Sequence, residues 1–518
     1  MRNPCIQTMR MLLRRRKLFK LVVLVSIIPV IFYLMVCQPN EKQMDENLPL
    51  DQMYRNKTGS DVLVAYHNKS KVHSSGYLRN SPSFSGKDET MRWIDVANDY
   101  CNSPFTRTTG NEGNIPEGFR LRNVHVFIHH GDRTSIHRSP WYGPEVFNCK
   151  FNTWYNGSNT KFSRFTDYMD MMAGKQGRRN HFLNWALYPD RDVCANSILT
   201  SRGALQHLQL GQHLSESYNR HVSLFNPKLS LTNQINVKST STSRTYQSAV
   251  AFLYGFLPRF NISHLKIENS PDMHFCTKQY SVQKSCYCKH AKELLILSEQ
   301  IQKKFDRENS YVQKYYEPVT KLFDVASAPP VTAVAEALVP FFCHNITLPC
   351  SYLESPHGCR ELIGDIWNTI IVRERLKYND SDLNYLKYSS IVMTPVLIEI
   401  IIRIKNIVEK RPTPKFVLYS GHDVTLSPLL YVLGLQDEKW PPYASRVVIE
   451  LLEHDHDASL NKFYLRFLYN GIDKTEKVIF CRGLTYKRLC SLTHFTEFVF
   501  MKMLRRFGYN SYYDACSR

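Results

Sequence analysis

Two short stretches hold the side chains best suited to chemistry. Residues 126–138 (VFIHHGDRTSIHR) end an apolar run in His129 and His130, followed by Gly131 and Arg133. Residues 416–428 (FVLYSGHDVTLSP) repeat the plan, with an apolar run, a glycine, then His422 and Asp423. A neutral imidazole can attack phosphorus, and a guanidinium three residues on can grip two oxygens of the same oxyanion. A carboxylic acid beside the second histidine can protonate a leaving group. A third piece, Ser243-Arg244-Thr245, opens an expected helix, where an arginine and free backbone N–H groups favour an anion. One histidine–glycine pair at a strand end is most often a packing residue. Three such segments in one chain give the phosphate reading its weight.

These side chains need a scaffold that ends its strands on one edge. Residues 124–128 (VHVFI) and 416–419 (FVLY) are short apolar runs before glycine-containing turns, as expected of buried parallel strands. Open α/β sheets bind ligands at the carboxyl ends of such strands. Residues 446–452 and 463–469 read as later strands joined by a polar loop. Residues 205–218, 245–257, 291–305 and 391–407 read as helices, the first with Leu205, Leu208 and Leu214 on one face. The expected fold is α/β, a three-layer core with a mostly parallel central sheet and a largely helical cap inserted over about 150–390.

The chain of 518 residues has ordinary globular composition, 43% apolar and 22% charged, with a net charge of +20. The excess of positive charge favours anionic partners. Residues 18–36 (LFKLVVLVSIIPVIFYLMV) are long and apolar enough to span a bilayer, and Arg14, Arg15, Arg16 and Lys17 precede them. The positive-inside rule then keeps the N-terminus cytosolic. The expected division is a cytosolic tail (1–17), a transmembrane signal anchor (18–37), a polar lumenal stem (38–96) and a catalytic domain (97–518). A cleaved signal peptide is the rival reading, against which stand the length of the run and the poor cleavage site after it. Six glycosylation sequons follow, at Asn56, Asn68, Asn156, Asn261, Asn345 and Asn379. Of fourteen cysteines, twelve lie beyond Cys37, an even number that suits disulfides in an oxidising lumen. The Cys276, Cys286, Cys288 and Cys343, Cys350, Cys359 clusters leave zinc as the alternative, although no C-x-x-C pair occurs.

The HGDR segment, the distant SGHDVTLSP, and the stretches SRTYQSAVAFLYGFLP, SCYC, FCHNITLPC and YYDAC resemble the histidine acid phosphatases, whose signature is R-H-G-x-R-x-P with a remote H-D. The likeness runs from about residue 100 to the C-terminus. It implies His130 as a nucleophile forming a phosphohistidine and Asp423 as proton donor to the leaving oxygen. It implies Arg133, Arg244 and His422 as phosphate ligands, and neither cofactor nor metal. The chain departs from the signature at His129, where the family has an arginine, and at Ser135, where it has a proline. A protonated His129 would be a partial substitute for the arginine.

The resemblance further implies a type II Golgi protein whose catalytic domain is lumenal. Its implied substrate is a phosphorylated sugar, 2-phosphoxylose in the linkage region of glycosaminoglycan–protein conjugates, with linkage-region glycosyltransferases as possible partners. The other expectation, motivated by His129, is a pseudophosphatase that binds a phosphorylated glycan or a biosynthetic enzyme. Residues 453–457 (EHDHD) are expected at a solvated hairpin tip rather than in a metal site, and His137 and Arg138 on a surface loop. No nucleic-acid recognition motif is present.

Overall fold

The computed structural model describes residues 88–518 except 104–107, 137–146, 148–159, 176–179, 190–194, 258–259, 278–285, 309–311, 314–317, 321–329, 347–357, 379–382, 438 and 456–461. The expected anchor and cytosolic tail, with Asn56, Asn68, Asn156 and Asn379, lie outside the described residues. No helix among the described residues is long and apolar enough to cross a membrane.

The principal elements are α1 (Asp88–Cys101), β1 (Phe119–His129), α2 (Thr160–Met172), α3 (Ser201–Ser215), β2 (Ile235–Thr240), α4 (Ser243–Phe256), β3 (Ile267–Ser270), α5 (Lys289–Glu308), α6 (Val331–Cys343), α7 (Gly358–Tyr378), α8 (Asn384–Val408), β4 (Phe416–Gly421), α9 (Asp423–Leu433), β5 (Arg446–His454), β6 (Phe463–Tyr469), β7 (Ile472–Asp473) and β8 (Cys490–Ser491). The strands form one sheet in the order β3-β2-β4-β1-β5-β6-β7, with β8 also paired to β6.

The sheet is mixed, which corrects the expectation of a mostly parallel one. β3, β2, β4 and β1 run parallel, whereas β5 to β8 add in antiparallel fashion. The cause is the segment 434–445 after α9. It climbs back to the carboxyl edge of β1, where Ala444 N–H donates to the His130 carbonyl (3.1 Å) and His129 N–H to the Ser445 carbonyl (3.0 Å). β5 therefore starts at that edge and descends.

Strand alternation sorts the central side chains into two cores. Val124, Val126 and Ile128 of β1 pack with Val237, Leu418 and the apolar faces of α3 and α4. Phe127, Val417, Tyr419, Val447 and Ile449 face α8 and α9 on the other side. This is the expected three-layer core. β2 and β3 lie in the sheet, and α3 and α4 cover it, so residues 150–390 are not one cap. A third cluster joins α1, α6 and α7 with Trp440 and Tyr443. The expected start of the folded domain at residue 97 falls inside α1, because Ile94 and Val96 already pack against that cluster.

Four disulfides close loops among the described residues: Cys101–Cys343, Cys276–Cys286, Cys288–Cys516 and Cys481–Cys490. No group of His, Cys, Asp or Glu there is arranged to hold a metal. The acidic run at 453–457 begins within β5. Glu453 is buried and paired with Arg122 (3.2 Å) and Lys462 (2.7 Å), and Asp455 pairs with Arg120.

Candidate active site

Three neighbouring parallel strands deliver the three sequence segments to one place. In the β1–β4 register His129 lies opposite Gly421, so the residues that follow, His130 and His422, leave the sheet at the same level. Their rings are 5.4 Å apart. β2, on the far side of β4, ends at Thr240, whose hydroxyl lies 2.8 Å from His422 Nε2. The next helix, α4, then brings in Arg244, whose Nη2 is 3.4 Å from His422 Nδ1.

The loop after β1 is fixed by close packing. A Cβ on Gly131 would lie 2.4 Å from the Gly203 carbonyl oxygen, so only glycine lets the loop rest on the start of α3. Gly131 N–H donates to Ser248 Oγ (3.1 Å) and Asp132 N–H to Gln206 Oε1 (2.8 Å). The buried Asp132 carboxylate accepts from Thr200 Oγ1 (2.6 Å) and lies 2.5 Å from His344 Nε2. Burial opposes its charge, yet His344, Arg202 and Thr200 hold its pKa below the ordinary carboxylate value.

His130 Nδ1 is 2.8 Å from the Gly131 carbonyl oxygen. A carbonyl only accepts, so Nδ1 carries the proton and Nε2 keeps its lone pair. Burial, then His129, Arg244, His422 and Arg133, push its pKa well below 6.5. The imidazole is therefore neutral and poised as a nucleophile.

Arg133 donates from Nη1 to the Thr134 carbonyl (3.2 Å), and its Nη2 lies 3.8 Å from Glu336 Oε1. Arg244 Nη1 donates to Ser197 Oγ (3.0 Å). Both Nε groups are buried with no hydrogen-bond partner among the described residues. Buried cationic donors of this kind suit an oxyanion. His422 is pushed down to about 3 by burial, then by Arg244. Burial would raise the pKa of Asp423, but His129, His422, the Val424 N–H and Arg133 outweigh it and hold the carboxyl low in the free site. A bound dianion would reverse that balance and return a proton to Asp423.

His129 sits on the same side of β1 as Phe127. Its Nδ1 donates to the carbonyls of Pro442 (2.8 Å) and Pro441 (3.1 Å), and its ring is 4.4 Å from that of His130. Burial lowers its pKa, with Asp423 and the two carbonyls opposing. The ring is thus fastened to the Pro441–Pro442 segment and neutral in the free site, with Nε2 as its remaining functional atom. Ser135, where the signature has proline, donates to the Ala337 carbonyl on α6 (2.8 Å) and ties the loop to that helix.

His130, Arg133, Arg244, His422, Asp423 and His129 therefore come together. Asn261 and Asn345 are exposed, Asn345 with φ of 53°. Sequence reasoning missed Thr240, Ser197, Tyr443 and the Asp132–His344 pair, which carry no local motif. It also missed Glu336, which had a signal: it is the one charged residue in the apolar helix VTAVAEALVPFFC.

Residues 120–352 and 358–470 match the profile of the histidine phosphatase superfamily (branch 2). The chain is 32% identical over 430 residues to 2-phosphoxylose phosphatase 1 of Homo sapiens, covering 81% of this chain and 86% of that protein. The Mus musculus protein of the same name is also 32% identical, over 80% of this chain and 85% of its own. Among solved structures, the phytase from D. castellii is similar with a TM-score of 0.48 at 16% identity, over 86% of this chain and 92% of that one.

Proposed function

Because the chain belongs to branch 2 of the histidine phosphatase superfamily, we propose that it hydrolyses a sugar phosphomonoester through a phosphohistidine on His130, with 2-phosphoxylose as the substrate group. His130 Nε2 attacks phosphorus, the N–P bond forms and the P–O bond to the sugar breaks. Asp423, protonated when the dianion arrives, gives its proton to the departing oxygen. Arg133 and Arg244 hold the equatorial oxygens, with His422 beside them. Water then attacks the phosphohistidine, Asp423 accepts its proton, and phosphate leaves.

The observation that carries this reading is the pinned, neutral His130 with a free Nε2, facing His422 at 5.4 Å and flanked by the guanidinium groups of Arg133 and Arg244, whose Nε atoms are buried. The same set favours turnover over a binding-only role, since nucleophile, acid and two phosphate ligands are all present. The xylose assignment is supported by the names of the relatives and by the net charge of +20, which suits an anionic glycan. In this reading the protein is a type II Golgi membrane protein, anchored by residues 18–37 with its catalytic domain in the lumen, working beside glycosyltransferases of the glycosaminoglycan linkage region.

The test is phosphate release by the full-length protein in detergent from a phosphoxylosyl glycan, with wild type against His130→Ala. Wild type turns over and accumulates an acid-labile phosphoenzyme. The variant loses both, by at least about 10³-fold in rate. Turnover that survives the substitution overturns the mechanism.

A further inference from the structure

The phosphate site holds a second carboxylate that the phosphatase reading does not use. Glu336 lies on α6 with its side chain 29% exposed, 3.8 Å from Arg133 Nη2. It is held there by several independent ties. The Cys101–Cys343 disulfide fastens the end of α6 to α1. Ser135 Oγ donates to the Ala337 carbonyl, and Arg202 Nη1 to the Cys343 carbonyl (2.6 Å). His344, just past the helix, meets Asp132 of the loop that carries Arg133. The helix and the loop thus form one framework, and the Glu336–Arg133 distance is built into it.

We propose that Glu336 sets the affinity of the site: its carboxylate engages Arg133 in the free protein, and the phosphate of the substrate must displace it. The inference rests on the phosphatase reading of the same site. Two guanidinium groups, Arg133 and Arg244, face two carboxylates, Glu336 and Asp423, so the free site is close to neutral. A phosphate dianion adds two charges to that balance. Asp423 takes one proton for the leaving group, and Glu336 is the other carboxylate able to take one.

The charged groups that act on Glu336 are Arg133 from the loop after β1, Asp423 from the start of α9 and Arg244 from the start of α4. Its own charge in turn raises the pKa of the Tyr100 phenol from α1 and the Tyr443 phenol after the Pro–Pro segment. Burial raises the pKa of Glu336, Arg133 and Arg244 oppose the rise, and Asp423 adds to it. As pH falls through that raised value, Glu336 becomes neutral and Arg133 is released to phosphate. The carboxylate therefore penalises phosphate binding most at neutral pH and least in acid.

The experiment compares full-length wild type, Glu336→Gln and Glu336→Asp by calorimetric titration with inorganic phosphate at pH 7.5 to 4.5, together with kcat and KM for para-nitrophenyl phosphate. Glu336→Gln binds phosphate roughly fivefold more tightly than wild type at neutral pH, with KM lowered in step and kcat nearly unchanged. The difference closes as pH falls. Glu336→Asp, whose charge is withdrawn by one methylene, falls between the two and carries the test if the Gln variant does not fold. Equal or weaker phosphate binding by folded variants at every pH overturns the inference and leaves the phosphatase reading intact. If wild type neither binds phosphate nor turns over, both fall together.

Discussion

Replacing His129 with arginine restores the family's third phosphate-gripping guanidinium and should raise activity. A charge-assisted contact to the transferring phosphoryl group contributes about 2–4 kcal/mol to the transition state. Against this stands the anchor that His129 makes to Pro442 at 2.8 Å and Pro441 at 3.1 Å. Its loss costs about 1 kcal/mol, since arginine Nε–H can satisfy only one of the two carbonyls. The net gain of roughly 1–3 kcal/mol is about 5- to 160-fold in kcat/KM. It should be largest at neutral pH. Burial lowers the pKa of His129 and so disfavours its charge in the free site, whereas arginine is charged throughout. In acid, a protonated His129 recovers part of the contact and narrows the gap. His129→Gln completes the test, because its amide can donate to Pro442 but cannot gain a proton. It should match wild type near pH 7 and fall behind by roughly tenfold in acid. The assay is kcat/KM for a phosphoxylosyl glycan and for an aryl phosphate between pH 4.5 and 7.5, with thermal melts as the check on folding. If folded His129→Arg shows no gain and His129→Gln tracks wild type at every pH, the imidazole is only a peg between β1 and the Pro441–Pro442 segment.

Two further outcomes follow from single side chains. Asp423→Asn should lower kcat by about 10²–10⁴ for a sugar phosphate, whose alkoxide leaves poorly, and far less for para-nitrophenyl phosphate, whose phenolate needs little protonation; equal losses on both substrates would remove Asp423 from the role of acid. Glu112, buried beside Arg446 (2.5 Å) and His213 (3.0 Å), is held at about 2 because these partners overcome its burial. Its contribution is complete above the ordinary value of 4.5 and is lost as pH falls towards 2. Glu112→Gln should therefore cost roughly 3 kcal/mol near neutrality and progressively less in acid, as read by denaturant unfolding at pH 7 and pH 3. A constant difference across that range would contradict the assignment.

Much of this site was legible in the sequence because its chemistry sits on strand ends with local motifs. Apolar runs at 124–128 and 416–419 became β1 and β4, and each carried its histidine to the same edge. The strand direction beyond β1 was not legible, because it depends on how segment 434–445 crosses the carboxyl edge, a tertiary matter. β2 (INVKST) escaped notice because Lys238 interrupts its apolar pattern. The charge is tolerated there by Glu399 Oε1 at 2.6 Å, a partner on α8 far along the chain. The Asp132–His344 pair was invisible for the same reason, and the role of Glu336, although it is the one charged residue of α6, likewise arises only when α6 is brought onto the loop after β1. At position 135, where the signature has proline, the sequence did not show that the serine hydroxyl joins the loop to α6.

The position of β4 between β2 and β1 also governs how this protein can be made. β1 is translated early, but both of its neighbours, β4 and β5, are encoded after residue 415. A growing polypeptide must keep an apolar ribbon with two bare edges out of intermolecular pairing until the ribosome has passed those codons. Premature termination anywhere before β5 would yield no partly active product, only a chain with an unpaired sticky edge. Chaperones and early capture of β1 by α3 and α4 would therefore count for as much in the yield of the enzyme as the final stability of its fold.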